Sequence, residues 1–153
     1  MLESENFFVA EATVEIIDEL TYLFDAYRVF YEQKSDLEGA KLFLQERLKE
    51  DSAILVAVYS KTERLAGFCQ LFPSLSSVSM CEIYILNDVF VLEEYRRSGV
   101  GSLLMDAAVS FALNRGVKRL KLQTAYDNLA AMRLYERCGW KKGDFHTYSF
   151  TND

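Results

Sequence analysis

The run Asn87-Asp88-Val89-Phe90-Val91-Leu92-Glu93-Glu94-Tyr95-Arg96-Arg97-Ser98-Gly99-Val100-Gly101 concentrates the residues whose types and spacing could do chemistry. A strand-forming segment passes through a short turn into the strongest amphipathic helix of the chain. There Val100, Leu103, Leu104, Ala107, Ala108 and Phe111 recur at i, i+3, i+4, i+7, i+8 and i+11. Gly99 and Gly101 lack a Cβ, so a ligand can approach the backbone and take several amide N–H groups. Those amides open a helix, where unpaired donors and the helix dipole favour an anion. Arg96 and Arg97 add positive charge beside them, and the construction suits a pyrophosphate. A dinucleotide fingerprint would need a third glycine, where Leu104 stands, and an acidic residue near the end of the next strand, which is basic. No Gly-Lys-Ser/Thr follows, so a P-loop fails as well.

Two carboxylates lie upstream on the same strand-forming stretch. Glu82 and Asp88 are six residues apart and share a face if the strand is uninterrupted, whereas a bulge would separate them. Asp88 is the first candidate to take a proton from a substrate, directly or through water. The competing reading is a carboxylate that only caps a loop. The single histidine, His146, is not suitably placed for the task.

These residues need a scaffold, and the periodicity supplies one. Phe7–Ala12 reads as a strand, and Thr13 can cap a helix carrying Ile16/Ile17, Leu20, Phe24, Tyr27 and Tyr31. Ser35 and Glu38 form a capping-box pattern opening a second helix through Leu37, Ala40, Leu44 and Leu48. Strands are expected over Ala53–Tyr59, Leu65–Phe72 and Val78–Val91, with a serine-rich loop at Ser74–Ser77. Gly116 ends the helix that Gly99 opens; Val117–Thr124 alternates as a strand, and Asn128–Cys138 is helical with Gly139 just past its end. Two last strands are expected, around Trp140 and through Phe145–Phe150. The order β-α-α-β-β-β-α-β-α-β-β puts helices on both faces of a mixed sheet, an α/β fold.

At 153 residues the chain suits a single domain, 1–153, large enough to bury a core without staples. Half of it is apolar or aromatic and 26% is charged, a globular balance. No apolar run reaches a membrane span, and the acidic start Met1-Leu2-Glu3-Ser4-Glu5 lacks a signal-peptide pattern, so a cytoplasmic protein is expected. Cys69, Cys81 and Cys138 have neither disulfide nor metal spacing, and no metal site is expected. Net charge is −6 but unevenly spread. Residues 1–95 hold 18 acidic and 7 basic side chains, whereas residues 96–153 hold 5 and 10. An acidic chain whose basic part coincides with an anion site argues against nucleic acid.

The run from Val89-Phe90-Val91 through Arg96-Arg97-Ser98-Gly99-Val100-Gly101 resembles the Gln/Arg-x-x-Gly-x-Gly/Ala signature of the GNAT acetyltransferase superfamily. The run Asn128-Leu129-Ala130-Ala131-Met132-Arg133-Leu134-Tyr135-Glu136-Arg137-Cys138-Gly139-Trp140 is similar to that family's second signature, with Trp140 in place of Phe. The element order also resembles the family's, so the likeness covers nearly the whole chain. It implies an acetyl-CoA-dependent N-acetyltransferase working by direct attack in a ternary complex, on a splayed mixed sheet.

It further implies site residues. Arg96, Arg97, Ser98, Gly99, Val100, Gly101 and Ser102 would bind the pyrophosphate of coenzyme A, and the backbone of Phe90 and Val91 would pair with the pantetheine arm. Asn128 would contact the cofactor or the reacting centre, and Tyr135 would protonate the departing thiolate. Seven residues apart on a helix, Asn128 and Tyr135 share a face about 10 Å apart along the axis. A phenol of pKa ~10 is a sound donor to a thiolate whose conjugate acid lies near ~8.5. Leu86-Asn87-Asp88-Val89-Phe90-Val91 resembles the matching run of polyamine acetyltransferases, with Asn87 where one group of them has a second carboxylate. The acceptor is then expected to be a small cationic amine, met by Glu32, Glu82 and Asp88 and by the faces of Tyr27 and Tyr31. A protein N-terminus or lysine is the alternative acceptor, and a coenzyme-A-binding module without chemistry the alternative class. The resemblance leaves the assembly open between monomer and homodimer.

Overall fold

The structure, a computed structural model, describes residues 2–152 and divides into two compact units, 1–123 and 124–153. The first holds a five-stranded mixed sheet in the order β1-β2-β3-β4-β5. Its strands are β1 (Phe7–Glu11), β2 (Ala53–Tyr59), β3 (Arg64–Ser76), β4 (Cys81–Val91) and β5 (Leu120–Leu122). The first four pair antiparallel, and β5 joins β4 parallel. The helices of this unit are α1 (Ile17–Phe30), α2 (Leu37–Lys49) and α3 (Val100–Asn114).

Hydrophobic pattern explains the layering. Ala53–Val58 of β2 are all buried, as a central strand covered on both faces must be. Ile54, Val56, Val58, Phe68 and Phe90 face Leu20, Leu23 and Phe24 of α1 and Ala40 and Leu44 of α2 in one core cluster. The opposite face meets α3 through Val100, Leu104, Met105 and Ala108, all buried, and Tyr84 of β4 lies edge-on to Phe111 of α3 at 5.8 Å.

The helix starts differ from expectation in two places. Thr13 precedes a short 3₁₀ turn, Val14–Ile16, and makes no side-chain cap bond; α1 begins only at Ile17. At α2 the cap is Asp36, whose carboxylate accepts the Gly39 amide at 2.9 Å. Ser35 is recruited elsewhere, donating to Asp25 Oδ2 of α1 at 2.7 Å, while the Asp36 amide donates to Asp25 Oδ1 at 2.8 Å. Burial pushes the Asp25 carboxyl up, but Ser35, the Asp36 amide and Arg28 outweigh it and hold its pKa below the ordinary value. The box fails because a buried carboxylate competes for the serine hydroxyl.

Gly67 marks a close approach of β3 to β4. A Cβ there would stand 2.5 Å from Phe90 O and 3.2 Å from Val91 Cα. Gly67→Ala must push β4 away, and unfolding in urea is expected to show a loss of about 1–3 kcal/mol. An alanine variant as stable as the parent would contradict this packing.

The second unit contains α4 (Leu129–Arg137). Asn128 is its N-cap, accepting the Ala131 amide, and Gly139 follows its end at φ 86°. The two strands expected around Trp140 and over Phe145–Phe150 are not formed among the described residues. Strand-like alternation is only a propensity, and without a ladder partner it yields no strand. The sheet therefore has five strands rather than seven.

Candidate active site

One irregularity in β4 organises the site. Leu71 pairs with Leu86 and Gln70 with Asp88, so one step along β3 matches two along β4 and Asn87 is the extra residue. Cross-strand partners share a face, and neighbours along β3 point to opposite faces. The bulge therefore turns Asp88 and Phe90 toward α1 and leaves Glu82, Tyr84 and Leu86 toward α3. Glu82 instead lines a cavity of about 330 Å³ with Glu11, Tyr84, Phe111 and Arg115. Asn87 is the bulge that the sequence reading named as the condition separating Glu82 from Asp88, and on it Glu82, read as a catalytic candidate, moves off the Asp88 face and out of the candidate site.

Asp88 is nearly buried. Tyr27 Oη of α1 donates to its Oδ1 at 2.6 Å, and Asn87 Nδ2 donates to its Oδ2 at 3.1 Å. Burial raises its pKa above the ordinary carboxylate value, and these two bonds only partly offset that. Such a carboxyl is tuned toward proton exchange nearer neutral pH. Around it stands an aromatic wall. Tyr27 meets Phe90 at 5.7 Å and Tyr31 at 5.1 Å, and Phe30 meets Phe90 at 5.9 Å. Tyr31 is half exposed, as is Phe30, which the sequence reading passed over although it lies three residues from Tyr27. Glu32 follows α1 at φ 64° and is exposed, so it stands at the rim rather than in the wall.

Gln70, opposite Asp88, is fully buried, and neither its Oε1 nor its Nε2 finds a hydrogen-bond partner. An orphaned buried amide costs about 1–3 kcal/mol. Sequence reading missed it, although a lone amide within the apolar run Leu65–Phe72 was a visible signal.

From the bulge onward no strand among the described residues pairs with the side of β4 away from β3. β5 pairs only with Tyr84–Leu86. The Leu92 amide bonds Ala66 O on the β3 side, so alternation turns the backbone groups of Phe90 toward β3 and those of Val89 and Val91 outward. Arg96 Nε takes the Val91 carbonyl at 3.0 Å, and its guanidinium lies over the rings of Phe30 and Phe90 at 5.3 and 5.7 Å. Ser98 Oγ donates to Tyr95 O.

The chain then turns with positive φ at Arg97 (61°) and Gly99 (84°), and Gly99 is the N-cap of α3. No side chain caps this helix, and its first turn, which includes Gly101 and Ser102, carries no acidic residue. The first intrahelical bond runs from Leu103 N to Gly99 O, so the preceding amides are left for an outside acceptor. A diphosphate fits this end by charge and donor type, and an extended amide chain fits the outward β4 edge beside it.

The sequence model of the acetyltransferase (GNAT) family matches residues 18–140. The chain belongs to that family. An uncharacterized N-acetyltransferase of Bacillus subtilis, YhfO, is 47% identical over 121 residues, covering 78% of this chain and 80% of that one. The crystal structure of a probable acetyltransferase is 37% identical, with a TM-score of 0.89 over 95% of this chain and 98% of that one. An aminoglycoside N-acetyltransferase in complex with CoA has a TM-score of 0.83 at 15% identity, covering 100% of this chain and 99% of that one; this likeness shows the fold alone.

The protein is thus an N-acetyltransferase of the GNAT fold, a family that uses acetyl-CoA. Its first unit brings together Tyr27, Tyr31, Asp88, Phe90 and Arg96 and joins them to the Arg97–Ser102 turn. Asn128 and Tyr135 lie in the second unit, at the cap and in the last turns of α4, as their seven-residue spacing requires. Among the described residues no helix is long and apolar enough to cross a membrane, and no cluster of His, Cys, Asp and Glu is arranged for a metal.

Proposed function

We propose that this acetyltransferase moves the acetyl group of acetyl-CoA onto the primary amine of a small cationic acceptor, by direct attack in a ternary complex. The observation that carries the reading is the continuity of β4: one strand presents the buried Asp88, then an outward backbone edge, then the uncapped start of α3. Acetyl-CoA supplies an activated thioester. The amides of Arg97 through Ser102 hold its diphosphate, and the outward groups of Val89 and the outward amide of Val91, whose carbonyl Arg96 engages, align its amide arm. That assignment keeps Val91 from the expected pair and replaces the backbone of Phe90, which serves β3, with that of Val89. Asp88 accepts the proton that the amine releases, with Tyr27 fixing its Oδ1. Tyr135 Oη is assigned the proton delivered to the departing sulfur, and Asn128, whose Oδ1 caps the same helix, a contact with the cofactor or the reacting centre.

Support for a cationic acceptor is electrostatic. Residues 96–153 carry a net +5 and residues 1–95 a net −11; a split of this kind steers cations and anions to different parts of a surface, and Arg96 and Arg97 are the cations at the α3 start. With Glu82 on the other face, Asp88 and Glu32 are the carboxylates left to meet the amine, beside the faces of Tyr31 and Phe30. The test is thiol release from acetyl-CoA with spermidine and with a neutral amine across a salt series. The expected preference for spermidine in kcat/KM shrinks as the screening length falls from ~30 Å at 0.01 M to ~8 Å at 0.15 M. Preference for the neutral amine, or no salt dependence, would remove the cationic acceptor. No thiol release with any primary amine, peptide amines included, would remove the catalytic reading itself.

A further inference from the structure

Gln70 has no structural task that explains it. Its cross-strand partners are Ile54 on β2 and Asp88 on β4, so all three side chains share the face covered by α1. Ile54 belongs to the apolar cluster there, and Asp88 is the carboxylate that Tyr27 bonds. The amide of Gln70 is fully buried with both polar atoms unsatisfied. Each Asp88 oxygen accepts one protein hydrogen bond, from Tyr27 or Asn87, and each retains capacity for another. Two polar groups with unused capacity, paired across neighbouring strands and shut away from bulk solvent, are what an internal water bonds to.

We propose that Gln70 is a positioning residue for acetyl transfer: its buried amide holds a water against the Asp88 carboxylate, and the acceptor amine's proton reaches Asp88 through that water. This rests on the reading of Asp88 as the base. The amine nitrogen forms its bond to the acetyl carbon as the carbon–sulfur bond breaks and the electron pair leaves on sulfur. The surplus proton on nitrogen passes to the water, which gives one of its own to Asp88. Sulfur takes its proton from Tyr135, and solvent later returns the proton on Asp88 to the Tyr135 phenolate. Tyr27 of α1 bonds Asp88; Cys69 of β3 points to the α3 face and is the other titratable group close enough to bear on it, its thiol pushed by burial up to about 12. The Cys69 thiol therefore stays neutral across the working range, and the Arg96 guanidinium lies over the Phe90 ring.

The experiment compares the full chain with Gln70→Met, Gln70→Leu and Asp88→Asn, reading urea unfolding, acetyl-CoA affinity and the pH profile of kcat/KM. Met matches the length of Gln and buries no amide, so Gln70→Met should resist urea at least as well as the parent. Its acetyl-CoA affinity should stay within about twofold. Its kcat/KM should fall about 10- to 100-fold, with the acid limb moved to higher pH because Asp88 loses a partner for its charged form. Gln70→Leu carries the same expectations should the Met variant fail to fold. Unchanged kcat/KM and an unmoved limb in a folded Gln70 variant, with Asp88→Asn strongly impaired, would overturn the role of Gln70 alone. Wild-type kcat/KM in Asp88→Asn would overturn the base reading and this proposal with it.

Discussion

Gly101→Asp is expected to remove measurable acetyl-CoA binding while leaving the fold slightly more stable. Gly101 sits in the first turn of α3, which begins at an N-cap with no side-chain bond and carries no acidic residue. A carboxylate there meets the positive end of the helix dipole, which contributes about 0.3–1 kcal/mol to folding at an exposed site. Replacing glycine also improves helix propensity by a few tenths of a kcal/mol. The same side chain puts bulk and negative charge where the diphosphate must lie. A fall in affinity of at least about 100-fold corresponds to ~2.8 kcal/mol. Titration calorimetry and urea unfolding on one preparation read the two opposite signs. Undiminished affinity in the variant would show that this helix start does not hold the cofactor.

For Tyr135 the expected effect falls on turnover. Tyr135→Phe keeps the ring and removes the hydroxyl, and the backbone bond from Trp140 N to Tyr135 O at 2.9 Å does not depend on it. If the phenol delivers the proton to sulfur, kcat should fall ~10²–10⁴-fold. Acetyl-CoA affinity should hold, since the lost interaction belongs to the transition state. Single-turnover measurement of thiol release separates the chemical step from product release. A parental single-turnover rate would assign Tyr135 to packing in the second unit.

Much of this was legible in the residues themselves because it depends on local rules. The glycines of Arg96–Gly101, the periodicity of Val100–Phe111 and the Asn128 to Tyr135 spacing need only φ/ψ freedom and helical geometry. The structure returns the helices they predict, α3 from Val100 and α4 from Leu129, with Gly99 and Gly139 at positive φ at their ends. β2 falls on Ala53–Tyr59 as read, and Asn128 caps the helix that it opens. Family membership follows from the same local features, since both signatures are short stretches of consecutive residues.

Tertiary structure decided what depends on partners. Glu82 and Asp88 share a parity on paper, and only the pairing of β4 with β3 puts the extra residue at Asn87 and sends them to opposite faces. Ser35 reads as a cap until Asp25, ten residues away on another helix, takes its hydroxyl. Phe90 and Val91 look equivalent to an approaching ligand, yet the ladder to β3 uses the backbone of one and turns that of the other outward, where Arg96 bonds its carbonyl. Phe145–Phe150 alternates like a strand, but a strand is a pairing rather than a sequence. Tyr27 was read for its ring, and its hydroxyl found the one buried carboxylate on the β4 face that α1 covers. In each case the local preference was real, and a non-local hydrogen bond or ladder register, invisible to spacing along the chain, determined where the side chain went.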